Sequence, residues 1–146
     1  MAVEAMTDDA YEAALRALRH RDRTEYEIDD HLRGRGFSED DRSRALAILH
    51  GHGLVDDERF ARLRVAALAE RGAGDALIRA RLAEAGVAHE LVDVALEAVE
   101  GEVGRARRIV ESRGASPKTA RYLHGKGFSD DVIGAVIAEG DDGALG

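Results

Sequence analysis

LRGRGFSEDD at residues 32–41 returns as LHGKGFSDD at 123–131 and, more loosely, as LAEAGVAHE at 82–90. In each copy a Leu precedes a Gly by four residues, and the Gly is followed by an apolar residue and then a small one. Gly adopts the left-handed conformation that closes a helix C-terminus, and Ser caps the helix that follows. The stretch therefore predicts a corner between two helices, used three times.

The corner glycines Gly36, Gly86 and Gly127 are separated by steps of 50 and 41 residues, and apolar positions agree at most neighbouring offsets. A period of this length is typical of stacked helical units, each too small to bury its own apolar face. We therefore predict an all-α fold of three tandem three-helix, helix-turn-helix-like repeats in an elongated, curved array. The predicted segments are a disordered acidic tail at 1–9, repeats at 10–53, 54–100 and 101–138 (the last one basic), and a second disordered acidic tail at 139–146.

Local signals place nine helices and no strand along the chain. Thr24 followed by Glu27 predicts a capping box at the start of the second helix. Ser116–Pro117 predicts the start of the eighth, because Pro at the first helical position loses no hydrogen bond. We expect the first helix near 9–20, the sixth near 89–100 and the ninth near 130–138.

The composition limits the classes of protein that the chain can represent. Of its 146 residues 45% are hydrophobic, few are aromatic, and none is Cys. The lack of Cys excludes disulfides and thiolate metal sites. No apolar run reaches the length of a membrane span, and the N-terminus lacks the features of a signal peptide. We expect a cytoplasmic protein that does not contact membranes.

The net charge of −8 is distributed unevenly. Six acids lie in the two ends, at 1–9 and 139–146, which carry no basic residue, whereas 105–126 holds seven Arg and Lys against the single acid Glu111. Such a basic segment is suited to phosphates or to an acidic protein surface. The predicted nucleic-acid- or partner-binding residues are Arg105, Arg107, Arg108, Lys118, Arg121, Tyr122 and Lys126.

Tyr122 is the aromatic residue among these candidates. It occupies the repeat position held by His31 and Arg81, two polar residues, so we expect it to be exposed. An exposed aromatic amid cations can stack single-stranded bases. The alternative, a charged face with a partly buried Tyr, remains open.

Nothing in the sequence predicts catalysis, a metal site or a cofactor. His50 and His52 flank a single Gly at a helix end, and no Cys or suitably placed carboxylate completes a tetrahedral site. The Asp pairs at 29–30, 40–41, 56–57 and 130–131 cluster at helix starts or on a solvated face, which capping and solubility explain. No phosphate-binding loop or nucleophile elbow is present.

The sequence resembles the RecX family of bacterial recombination regulators. The resemblance is carried by ALRALRHRDRTEYEIDDHLRGRGF (14–37), GLVDDERFA (53–61) and RGAGDALIRARLAEAGV (71–87), and with the third repeat it extends over about 10–138. It implies three tandem three-helix repeats and no catalytic residues. It also implies binding along the groove of RecA filaments on single-stranded DNA, with inhibition of ATP hydrolysis and strand exchange and thereby control of recombination and DNA repair.

The resemblance leads us to expect a non-enzymatic monomer whose partners are the RecA filament and, through it or directly, single-stranded DNA. Two alternatives are weighed beside it. One is a regulator whose three-helix units read duplex DNA as helix-turn-helix modules. The other is a structural adaptor that recognises protein helices.

Overall fold

The computed structural model describes the backbone of residues 2–145 and the side chains of residues 9–142. Within these residues the chain forms nine α-helices and no strand, which confirms the predicted all-α class. The helices are α1 (Ala2–Leu18), α2 (Glu25–Gly34), α3 (Glu39–Gly51), α4 (Asp57–Glu70), α5 (Asp75–Glu84), α6 (His89–Glu97), α7 (Glu102–Arg113), α8 (Pro117–Gly125) and α9 (Asp130–Leu145).

The three predicted corners join α2 to α3, α5 to α6 and α8 to α9. We name them corner 1 (35–37), corner 2 (85–87) and corner 3 (126–128). The glycine of each corner has a positive φ, between 78° and 89°. In corners 1 and 3 the apolar residue after the Gly donates its N–H to the carbonyl of the Leu five residues earlier, at 3.2 and 3.1 Å. This bond satisfies a helix-terminal carbonyl and fixes the direction of the next helix.

Two predicted helix starts are confirmed. At α2, Thr24 Oγ1 accepts the Glu27 N–H and the Glu27 carboxylate accepts the Thr24 N–H, which completes the capping box. At α8, Ser116 caps and Pro117 occupies the first turn. Polar residues thus satisfy the backbone donors that a helix start leaves free.

The first of two compact units comprises the residues up to Phe60 together with Glu84–Val87. In it α1 and α2 pack against α3. One face of α1 is lined by small Ala side chains, which allow close approach between helices. The buried hydrophobic residues are Ala10, Ala13, Ala14, Ala17, Ile28, Leu32, Ala45, Leu46, Leu49 and Val55.

The second unit comprises Ala61–Ala83 and the residues from Ala88 onward. Here α7 and α8 pack against α9. The core of this helix triplet consists of Ala106, Val110, Leu123, Phe128, Ile133 and Val136. The buried Thr119 lies on the same inward face of α8 as Leu123, which leaves the other side of α8 to solvent.

Within the first unit, corner 2 packs on the start of α2. Thr24 Oγ1 donates a hydrogen bond to Ala85 O, and a Cβ added to Gly86 would collide with the side chain of Tyr26. Only a glycine therefore allows this approach. The Glu25 N–H is bound in addition by Asp57 Oδ1 at 2.9 Å, from the first residue of α4.

Within the second unit, corner 3 packs on the start of α5 in the same way. Gly74 N and Ala76 N donate to the carbonyls of Lys126 and Gly127, at 2.7 and 3.2 Å. A Cβ added to Gly127 would lie 2.6 Å from Leu77 Cβ. Both contacts thus join a glycine corner to the first turn of a helix from the middle of the preceding triplet.

Three helix bounds differ from the sequence expectation. Helix α1 begins at Ala2 and α9 continues to Leu145, so the structure describes helix in both segments predicted to be disordered, with Met1 and Gly146 outside the described residues. Helix α6 ends at Glu97, three residues early. Among the helices described, none combines the length and hydrophobicity needed to cross a bilayer.

Candidate partner-binding surface

The exposed side of α8 carries the best-placed cations of the predicted set. Because Thr119 and Leu123 face the core, the helical period directs Lys118 and Arg121 to solvent. These two residues lie one turn apart, as neighbours on the helix surface. Within the described part of the chain neither forms an ion pair, so both charges are available to a partner.

Tyr122 is half-buried at the edge of this face, and the expectation that it is exposed is wrong. The guanidinium of Arg113 lies over its ring, 3.6 Å from the ring centroid. One ring face is therefore occupied by a cation–π contact. We name Arg113, Lys118, Arg121 and Tyr122 the α8 surface. Its arrangement favours binding of negative charge over insertion of a base on the covered ring face.

Arg113 was not among the predicted binding residues. It ends α7, whereas Tyr122 lies on α8, and between them Gly114 takes a φ of 92° that reverses the chain. The only sequence signal for the contact was the basic content of the segment. Which cation would meet the aromatic ring depends on the turn geometry.

The prediction that Arg105 is a binding residue is wrong, because its side chain is buried and does not face solvent. Its side chain is 7% exposed and bonds the carbonyl of Glu100 at 3.1 Å, the carbonyl of Ala73 at 3.4 Å and the carboxylate of Asp75. Phe128 lies under the guanidinium, 6.0 Å from ring centroid to Cζ. Arg105 therefore holds α7 against the start of α5 and has no charge to offer a partner.

Arg107 and Arg108 are exposed but engaged in ion pairs. Arg107 Nε lies 2.9 Å from Glu139 Oε2, and Arg108 Nη2 lies 3.1 Å from Glu100 Oε2. The hydrogen bond between Arg107 and Glu139 raises the pKa of the guanidinium and lowers the pKa of the carboxyl. Exposed ion pairs of this kind add little stability. A stronger anion can therefore displace the carboxylates.

Lys126 is half-buried at the end of α8. A Cβ added to Gly72 would lie 3.9 Å from Lys126 Cε, so the aliphatic part of the side chain runs along the backbone that precedes α5. The ammonium group forms no ion pair with a described residue. Lys126 thus keeps its charge while its carbonyl and its stem serve the packing of corner 3.

Two surface grooves of the second unit contain ionisable side chains. One, of about 460 Å³, lies between α7 and α9 and has the Arg107–Glu139 pair at its rim. The other, of about 400 Å³, is lined in part by Arg105, Arg108 and Glu100. In both, the arginines are bound to carboxylates or carbonyls. No group of three or more His, Asp or Glu side chains among the described residues could hold a metal ion.

Two family models match the chain. They are described as the first three-helix domain of RecX, over residues 10–49, and the second three-helix domain of RecX, over residues 56–96. A regulatory protein RecX from Halorhodospira halophila is 32% identical to this chain in an alignment that covers 94% of this chain and 92% of that protein. One from Geobacillus kaustophilus is 33% identical in an alignment that covers 90% of this chain and 54% of that protein.

Solved structures show the same fold. The crystal structure of RecX from Lactobacillus salivarius matches with a TM-score of 0.80 and 24% identity, over 94% of this chain and 98% of that one. A second, described as a regulatory protein RecX, matches with a TM-score of 0.78 and 24% identity, over 92% and 74%. Both bear out the all-helical architecture.

Proposed function

Because the chain belongs to the RecX family, we propose that it is a regulator of the RecA recombinase. It binds RecA filaments on single-stranded DNA and reduces their ATP hydrolysis and strand exchange, and in this way it controls recombination and DNA repair. It acts by binding and not by catalysis. A cytoplasmic location and a monomeric state, both predicted from the sequence, are part of the same proposal.

The observation that carries the proposal is the pair of unengaged cations on the α8 surface, Lys118 and Arg121. A filament presents DNA phosphates beside acidic protein side chains, and cations on a solvent-facing helix turn neutralise either one without precise geometry. Arg113 adds charge while it stacks on Tyr122. The cationic area is extended by Arg107, Arg108 and Lys126. The buried Arg105 instead stabilises the packing of α7 against the start of α5.

The proposal is tested by titrating the full chain into RecA with single-stranded DNA while ATP turnover is followed. The wild-type chain is expected to lower turnover in proportion to dose. The double variant Lys118→Glu/Arg121→Glu should need at least about tenfold more protein for the same inhibition, because two attractive contacts become repulsive. Arg16→Glu/Arg19→Glu is the matched control, since it makes the same change of charge at two exposed residues, one in the last turn of α1 and one directly after it, and should keep the wild-type dose response.

Other outcomes would favour other functions. Equal inhibition by both variants would show that the α8 surface is not the contact. Binding to RecA that ignores DNA would indicate an adaptor that recognises protein alone. A mobility shift of duplex DNA at moderate salt without RecA would indicate a helix-turn-helix reader.

A further inference from the structure

Two of the three corners are covered by a helix start, and they are covered in the same register. Thr24 meets Ala85 and Gly74 meets Lys126. The donors Thr24 and Gly74 are one repeat step of 50 residues apart, and the acceptors Ala85 and Lys126 are one step of 41 apart. The structure therefore contains two examples of a helix start bound at a corner of this kind. In both cases a helix start reaches the carbonyl of the residue before the Gly, through the hydroxyl of Thr24 at corner 2 and through the backbone N–H of Gly74 at corner 3.

Corner 1 has the same backbone, but no helix start in the described part of the chain packs on it. Arg35 and Gly36 are exposed, and a Cβ added to Gly36 would meet no atom within 4 Å in the described part of the chain. No described residue donates a hydrogen bond to the carbonyl of either. Phe37 is only half-buried, whereas its equivalents Val87 and Phe128 are 7% and 3% exposed.

We propose that corner 1 is a docking surface for the first turn of a helix in the partner protein. Resting on the proposed function, we identify that partner as RecA. A helix start has backbone N–H groups without partners inside the helix. The carbonyls of Arg35 and Gly36 supply acceptors for them, and the missing Cβ of Gly36 lets the two backbones approach closely.

A second copy of this chain does not fit corner 1 by the route that the internal contacts use. The starts of α2 and α5 are already occupied. In the third repeat the residue equivalent to the donor Ala76 is Pro117, which has no N–H. Ala115, the equivalent of the donor Gly74, packs against α9, because a Cβ added to Gly140 would lie 2.7 Å from Ala115 Cβ. The starts of these three helices therefore do not supply the occupant, which favours a helix of another protein.

The test compares Gly36→Ala with Gly53→Ala in the full chain. Gly53 has a φ of 68° and also has no atom within 4 Å of an added Cβ in the described structure. The two substitutions therefore carry a similar backbone cost, and urea unfolding followed by circular dichroism checks that both variants fold with similar stability. Affinity for fluorescently labelled RecA, alone and as a filament on single-stranded DNA, is then measured. We expect binding by Gly36→Ala to be about tenfold weaker than by Gly53→Ala, since the Cβ blocks at least one backbone hydrogen bond.

A second measurement needs no variant. Amide hydrogen exchange in a peptide covering 33–38 of the wild-type chain is expected to slow several-fold when RecA is added, while a peptide covering 50–54 does not change. Equal affinity of the two variants, or unchanged exchange at 33–38, would overturn the inference and leave the proposed function intact. A wild-type chain that does not bind RecA would overturn both. Self-association lost only in Gly36→Ala would identify a second copy as the occupant and refute the choice of RecA.

Discussion

Arg105 shows how one charged residue can serve packing within a basic segment. A buried guanidinium is tolerated only when its donors are bonded. Here they bind two carbonyls and a carboxylate, and the residues that supply them precede α7 or lie at the start of α5. Asp75 also donates its N–H to Glu102 Oε1 at 3.3 Å. The arrangement ties the start of α7 to the start of α5.

Replacing Arg105 by Met should destabilise the fold. The substitution keeps much of the side-chain volume but leaves the carbonyl of Ala73 and the carboxylate of Asp75 without this partner. Breaking a buried pair costs about 3–5 kcal/mol, and we expect about 2 kcal/mol because Asp75, 35% exposed, can be rehydrated. Arg121→Met, which removes the same charge from the exposed face of α8, should change stability by less than about 0.5 kcal/mol. Urea unfolding of both variants measures the difference, and equal losses would contradict a structural role for Arg105.

The helical period could have separated Arg105 from the other candidates. On α7 it lies within the arc that also contains Ala106, Ile109 and Val110, all of which face the core. A count of charges over a segment ignores where each residue lies around the helix. The sequence prediction therefore grouped buried and exposed arginines. Lys118 and Arg121, two other predicted binding residues, face solvent. The stacking of Arg113 on Tyr122 could not be predicted, because it depends on how the chain turns between two helices.

Helix ends account for most of what the sequence revealed about the fold. A Gly followed by an apolar residue and then a small one predicts the end of a helix, and the structure forms each of these corners with a positive φ at the Gly. What covers a corner could not be predicted, because Gly86 meets Tyr26 and Gly127 meets Leu77 across long stretches of sequence. The extent of α9 was missed for a similar reason. Gly140 lies so close to Val110 and Ala115 that an added Cβ would collide with both, a contact that the neighbouring sequence does not reveal.

The capping box of α2 should make stability depend on pH through Glu27. Burial alone would raise the pKa of this carboxyl, but hydrogen bonds from Arg21 and from the Thr24 N–H outweigh it, and the pKa is lowered from the ordinary value of 4.5. The stabilisation by the carboxylate is therefore complete well above pH 4.5 and is lost as the pH falls through the lowered pKa. Glu27→Gln should lower the free energy of unfolding by about 1 kcal/mol at pH 7. The loss should become progressively smaller as the pH falls through the lowered pKa of Glu27.

Urea unfolding of wild type and Glu27→Gln between pH 7 and about pH 3.5 covers this range. The control is Glu39→Gln, which removes an acid from the exposed first turn of α3. This control loses only a favourable interaction with the helix dipole, about 0.3–1 kcal/mol. A cost of Glu27→Gln that stays constant over the whole range would contradict the assignment of the pH effect to the ionised carboxylate.

At the scale of the molecule, net charge and local charge have opposite signs. The chain carries −8 overall, so a polyanion at long range is repelled. Attraction begins only near the α8 surface, within about one Debye length of 8–10 Å at ordinary ionic strength. The orientation of the protein is therefore selected before contact, because a polyanion that approaches any other face is repelled by the net negative charge.

This difference between net and local charge leads to a prediction about the salt dependence of binding. Each phosphate neutralised on a single strand contributes about −0.7 to the slope of log K against log salt concentration. Lys118→Gln/Arg121→Gln should therefore make the slope for binding to the RecA–DNA filament shallower by about 1.4. Arg16→Gln/Arg19→Gln alters the net charge identically and should leave the slope unchanged. Fluorescence anisotropy between about 50 and 200 mM salt measures both. If the slopes of the two variants fell equally, net charge would govern the affinity, and the local cations of α8 would have no special part in it.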